Sequence, residues 1–104
     1  MIDLKEFLKN NVLISDGAMG TYISSLTGRS AIACESLNIA NPELVYRVHN
    51  EYVRSGSQMI LTNTFCANSA ALNLNFDKIG DIIKSGIGIA RRGQLAKKPM
   101  LPLI

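Results

Sequence analysis

Two short apolar runs, Val12-Leu13-Ile14-Ser15 and Met59-Ile60-Leu61-Thr62, constrain this chain more than any other feature. Neither alternates apolar with polar residues, as a strand with one wet face would. An uninterrupted apolar run fits a strand covered on both faces in a parallel sheet. Between the runs lies a strongly signalled helix. Asn41 stands at the N-cap, Pro42 at the first helical position and Glu43 in the first turn. Leu44, Val45, Val48 and Tyr52 then share one face, and Gly56 falls where a C-terminal glycine cap belongs. A helix is therefore predicted over Pro42 to Ser55. Strand, helix and second apolar strand make a parallel βαβ unit.

The flanking segments extend this order. Asp3 to Asn10 reads as a short amphipathic helix with Leu4, Phe7 and Leu8 on one face, and Tyr22 to Leu26 as a short helix stopped by Thr27-Gly28. Arg29 to Ala40 reads as a polar connection, with Glu35 a solvated charge in it. Ala67 to Leu74 has helix-forming content. Asp77 is expected to cap a further helix carrying Ile79, Ile82, Ile83 and Ala90. Gly80, Gly86 and Gly88 weaken that helix by about 1 kcal/mol each relative to alanine, so it must depend on packing. Pro99 to Ile104 reads as the start of a third strand, compromised by Pro102. The expected class is α/β, in one domain spanning 1–104.

Composition narrows the partners. The 104 residues are 47% hydrophobic and 18% charged, an ordinary globular balance. The net charge of +3 is local: without Arg91, Arg92, Lys97 and Lys98 the acids outnumber the bases. Such a cluster is favourable at the negative pole of a helix end. With no tryptophan and few aromatics, nucleic-acid binding through it ranks last of the readings. No apolar run approaches the roughly 20 residues of a membrane span, and the acids of the N-terminal stretch do not fit a targeting peptide. Cys34 and Cys66 form no zinc-ligand spacing and are expected to be free thiols. A cytoplasmic chain without nucleic-acid or membrane partners is the expectation.

In parallel α/β proteins ligands bind at the C-terminal ends of strands. Asp16 follows the first apolar run and Asn63-Thr64-Phe65 the second, so both open onto one rim. Gly17 and Gly20 allow backbone amides to turn toward an anion. An acid beside exposed amides suits a zwitterion, with ammonium on the carboxylate and carboxylate on the amides. Two readings of Asp16 stay open here: ligand binding, or capping of the helix that follows. No phosphate-loop or dinucleotide pattern is present. His49 sits mid-helix, away from any strand end, and reads as structural; Met19 reads as packing.

Four ordered stretches together resemble one family: "DGAMGT" (Asp16 to Thr21), "CESLNIANPELV" (Cys34 to Val45), "EYVRSGSQMILTNTFCAN" (Glu51 to Asn68) and "IIKSGIGIARR" (Ile82 to Arg92). They are similar to the N-terminal part of homocysteine S-methyltransferases, nearest to the homocysteine-binding modules of cobalamin-dependent methionine synthases. The resemblance implies a (β/α)₈ TIM barrel transferring a methyl group to the sulfur of homocysteine, of which this chain holds about three βα units. It implies Asp16 and the Gly17-Ala18 backbone at the amino-acid end of homocysteine, and Asn63, Thr64 and Phe65 along the rim near the sulfur or methyl donor. It also implies zinc, held by three cysteine thiolates on later strands, and cobalamin and methyltetrahydrofolate reached through other domains.

The departures carry expectations too. Neither Cys34 nor Cys66 matches the family's zinc ligands, and Cys66 stands where the family usually has glycine. A whole barrel runs to roughly 250 residues, so the chain is expected to be an N-terminal segment, inactive alone. The resemblance assigns no role to Glu35. The rival reading is a small non-enzymatic α/β chain acting through self-association or a protein partner at an open sheet edge.

Overall fold

The computed structural model describes residues 3–29 and 33–95. Lys97, Lys98 and the third strand expected from Pro99 lie outside the described residues. The elements are helices α1 (Leu4–Asn10), α2 (Gly20–Thr27), a 3₁₀ turn (Cys34–Ser36), α3 (Leu37–Ala40), α4 (Pro42–Arg54), α5 (Ser69–Leu72) and α6 (Phe76–Gln94). None of these helices is long and apolar enough to cross a membrane.

Local chemistry sets most of the boundaries. The Asp3 carboxylate accepts the Lys5 and Glu6 amides at the start of α1. Asn41 caps α4 through the Leu44 amide, and Gly56 takes φ 116° just past its end. Asn68 caps α5 through the Ala71 amide. The start of α6 corrects the expectation: Asn75, not Asp77, caps it by accepting from the Lys78 amide at 2.9 Å. Asp77 lies in the first turn, where its charge suits the helix dipole.

The two apolar runs also correct the expectation. They lie side by side and parallel but do not form strands among the described residues. A single bridge joins Ser15 to Met59, made by Asp16 N to Met59 O at 3.0 Å and Met59 N to Ile14 O at 3.1 Å. Side chains take the next position on either side. The Leu61 amide donates to the Asp16 carboxylate at 3.2 Å instead of continuing the backbone ladder. The Ile14 amide donates to Gln58 Oε1 at 3.0 Å. Nor are the runs uniformly covered: Ile60 is buried, whereas Val12, Ile14 and Leu61 are exposed.

The core lies between the bridged segments and the helices. Ile23, Cys34 and Val48 pack with Met19, Tyr22, Leu26, Leu37, Leu44 and Tyr52, and a second group joins Val53, Ile60 and Ala90. The principal helix contact is α4 against α6, with α3 also packed on α6. Two glycines of α6 allow that approach. A Cβ on Gly93 would meet His49 Cβ at 2.8 Å, and one on Gly86 would meet Asn38 Nδ2 at 2.6 Å. A Cβ on Gly80 or Gly88 would meet no described neighbour within 4 Å. The glycines that weaken α6 therefore divide into two required by packing and two that are not.

His49 is 0% exposed, and neither ring nitrogen has a hydrogen-bond partner among the described residues. Burial keeps the imidazole neutral and lowers its pKa from 6.5 to about 4.

Two outcomes are expected. In urea titrations Gly86→Ala destabilises the chain by about 1–3 kcal/mol through overpacking, whereas Gly80→Ala and Gly88→Ala leave stability unchanged or raise it by up to about 1 kcal/mol. The unfolded state protonates His49 before the folded state does. Its contribution is therefore full above pH 6.5 and is lost as pH falls from 6.5 toward about 4. His49→Leu should flatten that part of the stability–pH curve.

Candidate functional site

Because the bridged segments run parallel, their C-terminal ends emerge on the same side. Asp16-Gly17-Ala18 leaves the first and Asn63-Thr64-Phe65 the second. The Asp16 carboxylate joins them directly through the Leu61 amide, and Oδ1 also accepts from Ser15 Oγ at 3.4 Å. Partial burial raises the Asp16 pKa from 3.8, and the Leu61 N–H opposes that rise. Asp16 does not cap α2: the helix begins at Gly20 after Met19, with no side-chain cap.

Gly17 and Ala18 are exposed. No described residue accepts a hydrogen bond from either amide. Their conformation is held from α4, where the Tyr52 hydroxyl donates to the Ala18 carbonyl at 2.8 Å. A Cβ on Gly17 would meet that hydroxyl at 2.8 Å, so a side chain at position 17 requires Tyr52 to shift from its bond to Ala18. Burial and the nearby Asp16 charge both raise the Tyr52 pKa, keeping the hydroxyl protonated as a donor.

The second segment divides its residues differently from expectation. Phe65 is 94% exposed at the tip of the turn. The Thr64 hydroxyl shares a hydrogen bond with Thr62 Oγ1 at 2.8 Å. Asn63 is not presented at the rim; it is 4% exposed. Its amide donates to the Cys34 carbonyl at 2.8 Å and to Asn38 Oδ1 at 2.9 Å. Its Oδ1 accepts from the Cys34 thiol at 3.4 Å. An asparagine amide has two hydrogens, and both are committed inward.

The polar connection is also corrected. Glu35 is not solvated but 6% exposed, and it accepts from the Cys66 amide at 3.2 Å. Cys34 is buried; that burial and the Glu35 carboxylate push its thiol pKa up to about 11. The thiol therefore stays protonated and is a poor nucleophile. Among the described residues no group of three His, Cys, Asp or Glu side chains could hold a metal ion.

Sequence reasoning missed Tyr52 and Asn38. Tyr52 sits on the apolar face of α4, where its ring reads as core and its hydroxyl gives no signal. Asn38 falls in a stretch without periodicity. A separate groove of about 440 Å³ runs between α2 and α4, lined by Ala18, Tyr22, Glu51 and Tyr52 among others. It includes no part of the Asn63–Phe65 turn. At the end of the basic cluster, Arg92 pairs with both Glu43 oxygens at 2.9 Å and lies 3.9 Å from the Tyr46 ring centroid.

An acid, bare amides and an exposed aromatic thus stand at the matching ends of two parallel segments packed on helices. The chain matches the family described as Homocysteine S-methyltransferase over residues 13–100, and it belongs to that family. It is 38% identical over 98 residues to the methionine synthase of Mycobacterium leprae (strain TN), covering 86% of this chain and 8% of that protein. It is 31% identical over 99 residues to the homocysteine S-methyltransferase of Escherichia coli (strain K12), covering 88% and 32% respectively. The chain thus spans about a third or less of the length of these curated relatives. Among solved structures, the oxidized form of the Escherichia coli homocysteine methyltransferase MmuM superimposes with a TM-score of 0.78 at 28% identity. That match covers 96% of this chain and 38% of MmuM. The metallated form of MmuM gives the same TM-score at 26% identity, covering 96% and 39%.

The Gly17–Tyr52 contact gives a double-mutant prediction. Gly17→Ala should destabilise the chain by about 1–3 kcal/mol, and Tyr52→Phe by about 1 kcal/mol through the lost hydrogen bond. The double variant should be more stable than the sum of the two, because removing the hydroxyl makes room for the methyl. Chemical denaturation of the four proteins measures the coupling.

Proposed function

We propose that this chain supplies the amino-acid-binding side of a homocysteine pocket in a (β/α)₈ methyltransferase barrel, and does not itself transfer the methyl group. The observation that carries this reading is the common edge onto which the parallel pair Ser15–Met59 releases both Asp16 and the Asn63–Phe65 turn. The Asp16 carboxylate keeps acceptor positions beyond the Leu61 amide and suits an ammonium group. The amides of Gly17 and Ala18, which no described residue accepts, suit a carboxylate. Thr64 and Phe65 offer a hydroxyl and an apolar ring toward the sulfur end, while Asn63 acts from beneath by holding their turn.

Zinc, in the family's sense, would lower the pKa of the homocysteine thiol and so prepare the nucleophile. The described residues do not fit it: they contain no three-ligand cluster. No step through a metal is derived for this chain.

A second reading rests on the exposed edge itself. Val12, Ile14, Leu61 and Phe65 present apolar surface beside a backbone ladder that ends after one bridge. Self-association through this edge would cover it. Sedimentation velocity distinguishes the readings: a concentration-dependent dimer supports self-association, and a monomer across the range removes it.

Titration of homocysteine into the isotopically labelled chain tests the pocket. Shifts are expected at the amides of Asp16, Gly17, Ala18, Thr64 and Phe65. Homoserine should bind within about threefold of homocysteine, since the contacts proposed are to the shared amino-acid end, and blocking the α-amino group should abolish binding. Asp16→Asn should weaken binding by about tenfold or more, the loss of one charge-assisted contact. Shifts confined to other surfaces overturn the reading. Zinc content should be far below one per chain and methyl transfer undetectable; stoichiometric zinc with turnover overturns the claim that this chain lacks the chemistry.

A further inference from the structure

The stretch 33–40 places buried polar side chains directly beneath the Asn63–Cys66 turn. Asn38 uses both amide hydrogens, one to the Asn63 carbonyl at 2.9 Å and one to the Ile82 carbonyl at 3.0 Å. Its oxygen accepts from the Asn63 side chain, so Asn38 holds both the side chain and the backbone carbonyl of Asn63. Those bonds tie the turn to α6. Glu35 acts at the other end of the turn, where its carboxylate accepts the Cys66 amide. Thr64 and Phe65 lie between the two anchors: Phe65 is exposed, while Thr64 is half-buried with its methyl toward Gly86 and its hydroxyl on Thr62. Gly86 makes the arrangement sterically possible, because a Cβ there would meet Asn38 Nδ2 at 2.6 Å and the Asn63 carbonyl at 3.3 Å.

Burying a carboxylate and two amides is unfavourable unless each is hydrogen-bonded. An apolar side chain would fill the same space without that desolvation. What the polar set adds is direction: each bond fixes one backbone group of the turn. We propose that Glu35 and Asn38 are positioning residues of the ligand rim, clamping the Asn63–Cys66 turn at its two ends so that Thr64 and Phe65 face the ligand edge opposite Asp16. This inference rests on the reading of that edge as the homocysteine side.

Amide hydrogen exchange resolved by residue, paired with homocysteine titration, tests it. Glu35→Ala should speed exchange at Cys66 by about tenfold, while amides of α4 from Val45 to Val53 stay within about twofold of the parent. Glu35→Gln keeps an oxygen that accepts the Cys66 amide, and should return exchange to within about threefold of the parent. Glu35→Asp keeps the charge but is one methylene too short to reach; it should behave like the alanine variant, and it serves in its place should that variant not fold. Asn38→Asp loses the donors to the Asn63 and Ile82 carbonyls, and should release the Thr64 amide in the same way.

In each released variant homocysteine affinity should fall in step with exchange. In Asp16→Asn affinity should fall with exchange at the turn unchanged. A uniform rise in exchange across α4 and the turn, no rise, or no rescue by glutamine overturns the clamp. Absence of homocysteine binding in the parent chain overturns the pocket instead, and the exchange pattern still decides the clamp.

Discussion

The close approach of α6 to α3 and α4 is the constraint on which the rest of this structure depends. Gly93 lets α6 lie against His49, and Gly86 lets it lie against the Asn38–Asn63 pair. A methyl group at either position would push the helix outward. The push at Gly86 would separate Asn38 from the Ile82 carbonyl and disturb the turn carrying Thr64 and Phe65. A helix weakened by glycine is thus the element that packs most closely, because intrinsic propensity and surface fit are different quantities.

Asp16 shows how one side chain can serve both a fold and a site. Its carboxylate takes the Leu61 amide that a continuing ladder would give to its own carbonyl. The ladder ends there, and the acid is held at the end of the paired segments with acceptor capacity to spare. Asn63 shows the opposite division. It sits at the equivalent place on the neighbouring segment, yet every hydrogen of its amide is spent inward. Two polar residues at matching segment ends therefore have unlike roles, set by what lies beneath each.

The sequence was most informative where the chemistry is local. Asn41, Pro42, Glu43 and the apolar spacing of α4 defined that helix to within a residue of its end, because caps and periodicity act within one or two turns. It was less informative at α6, where Asn75 and Asp77 are both competent caps and the choice depends on which side chain reaches the Lys78 amide. It failed at 33–40. Nothing in "ACESLNIA" distinguishes a solvated connection from one whose Glu35 and Asn38 are buried, since their partners lie in the distant 63–66 turn and in α6.

Sequence alone determined the order of helices and apolar runs, the parallel sense of their pairing, the placement of Asp16 and Asn63–Phe65 at matching ends, and, through four ordered stretches, the family. Those properties follow from backbone stereochemistry, short-range capping and hydrophobic spacing, all written in contiguous residues. Tertiary structure alone decided that the pairing stops after one bridge, that Asp16 binds Leu61 rather than capping α2, and that Asn63 faces inward. It also decided which glycines are required. Each of these depends on distances between residues remote in the chain, where a few tenths of an ångström decide whether a hydrogen bond forms or a methyl group fits.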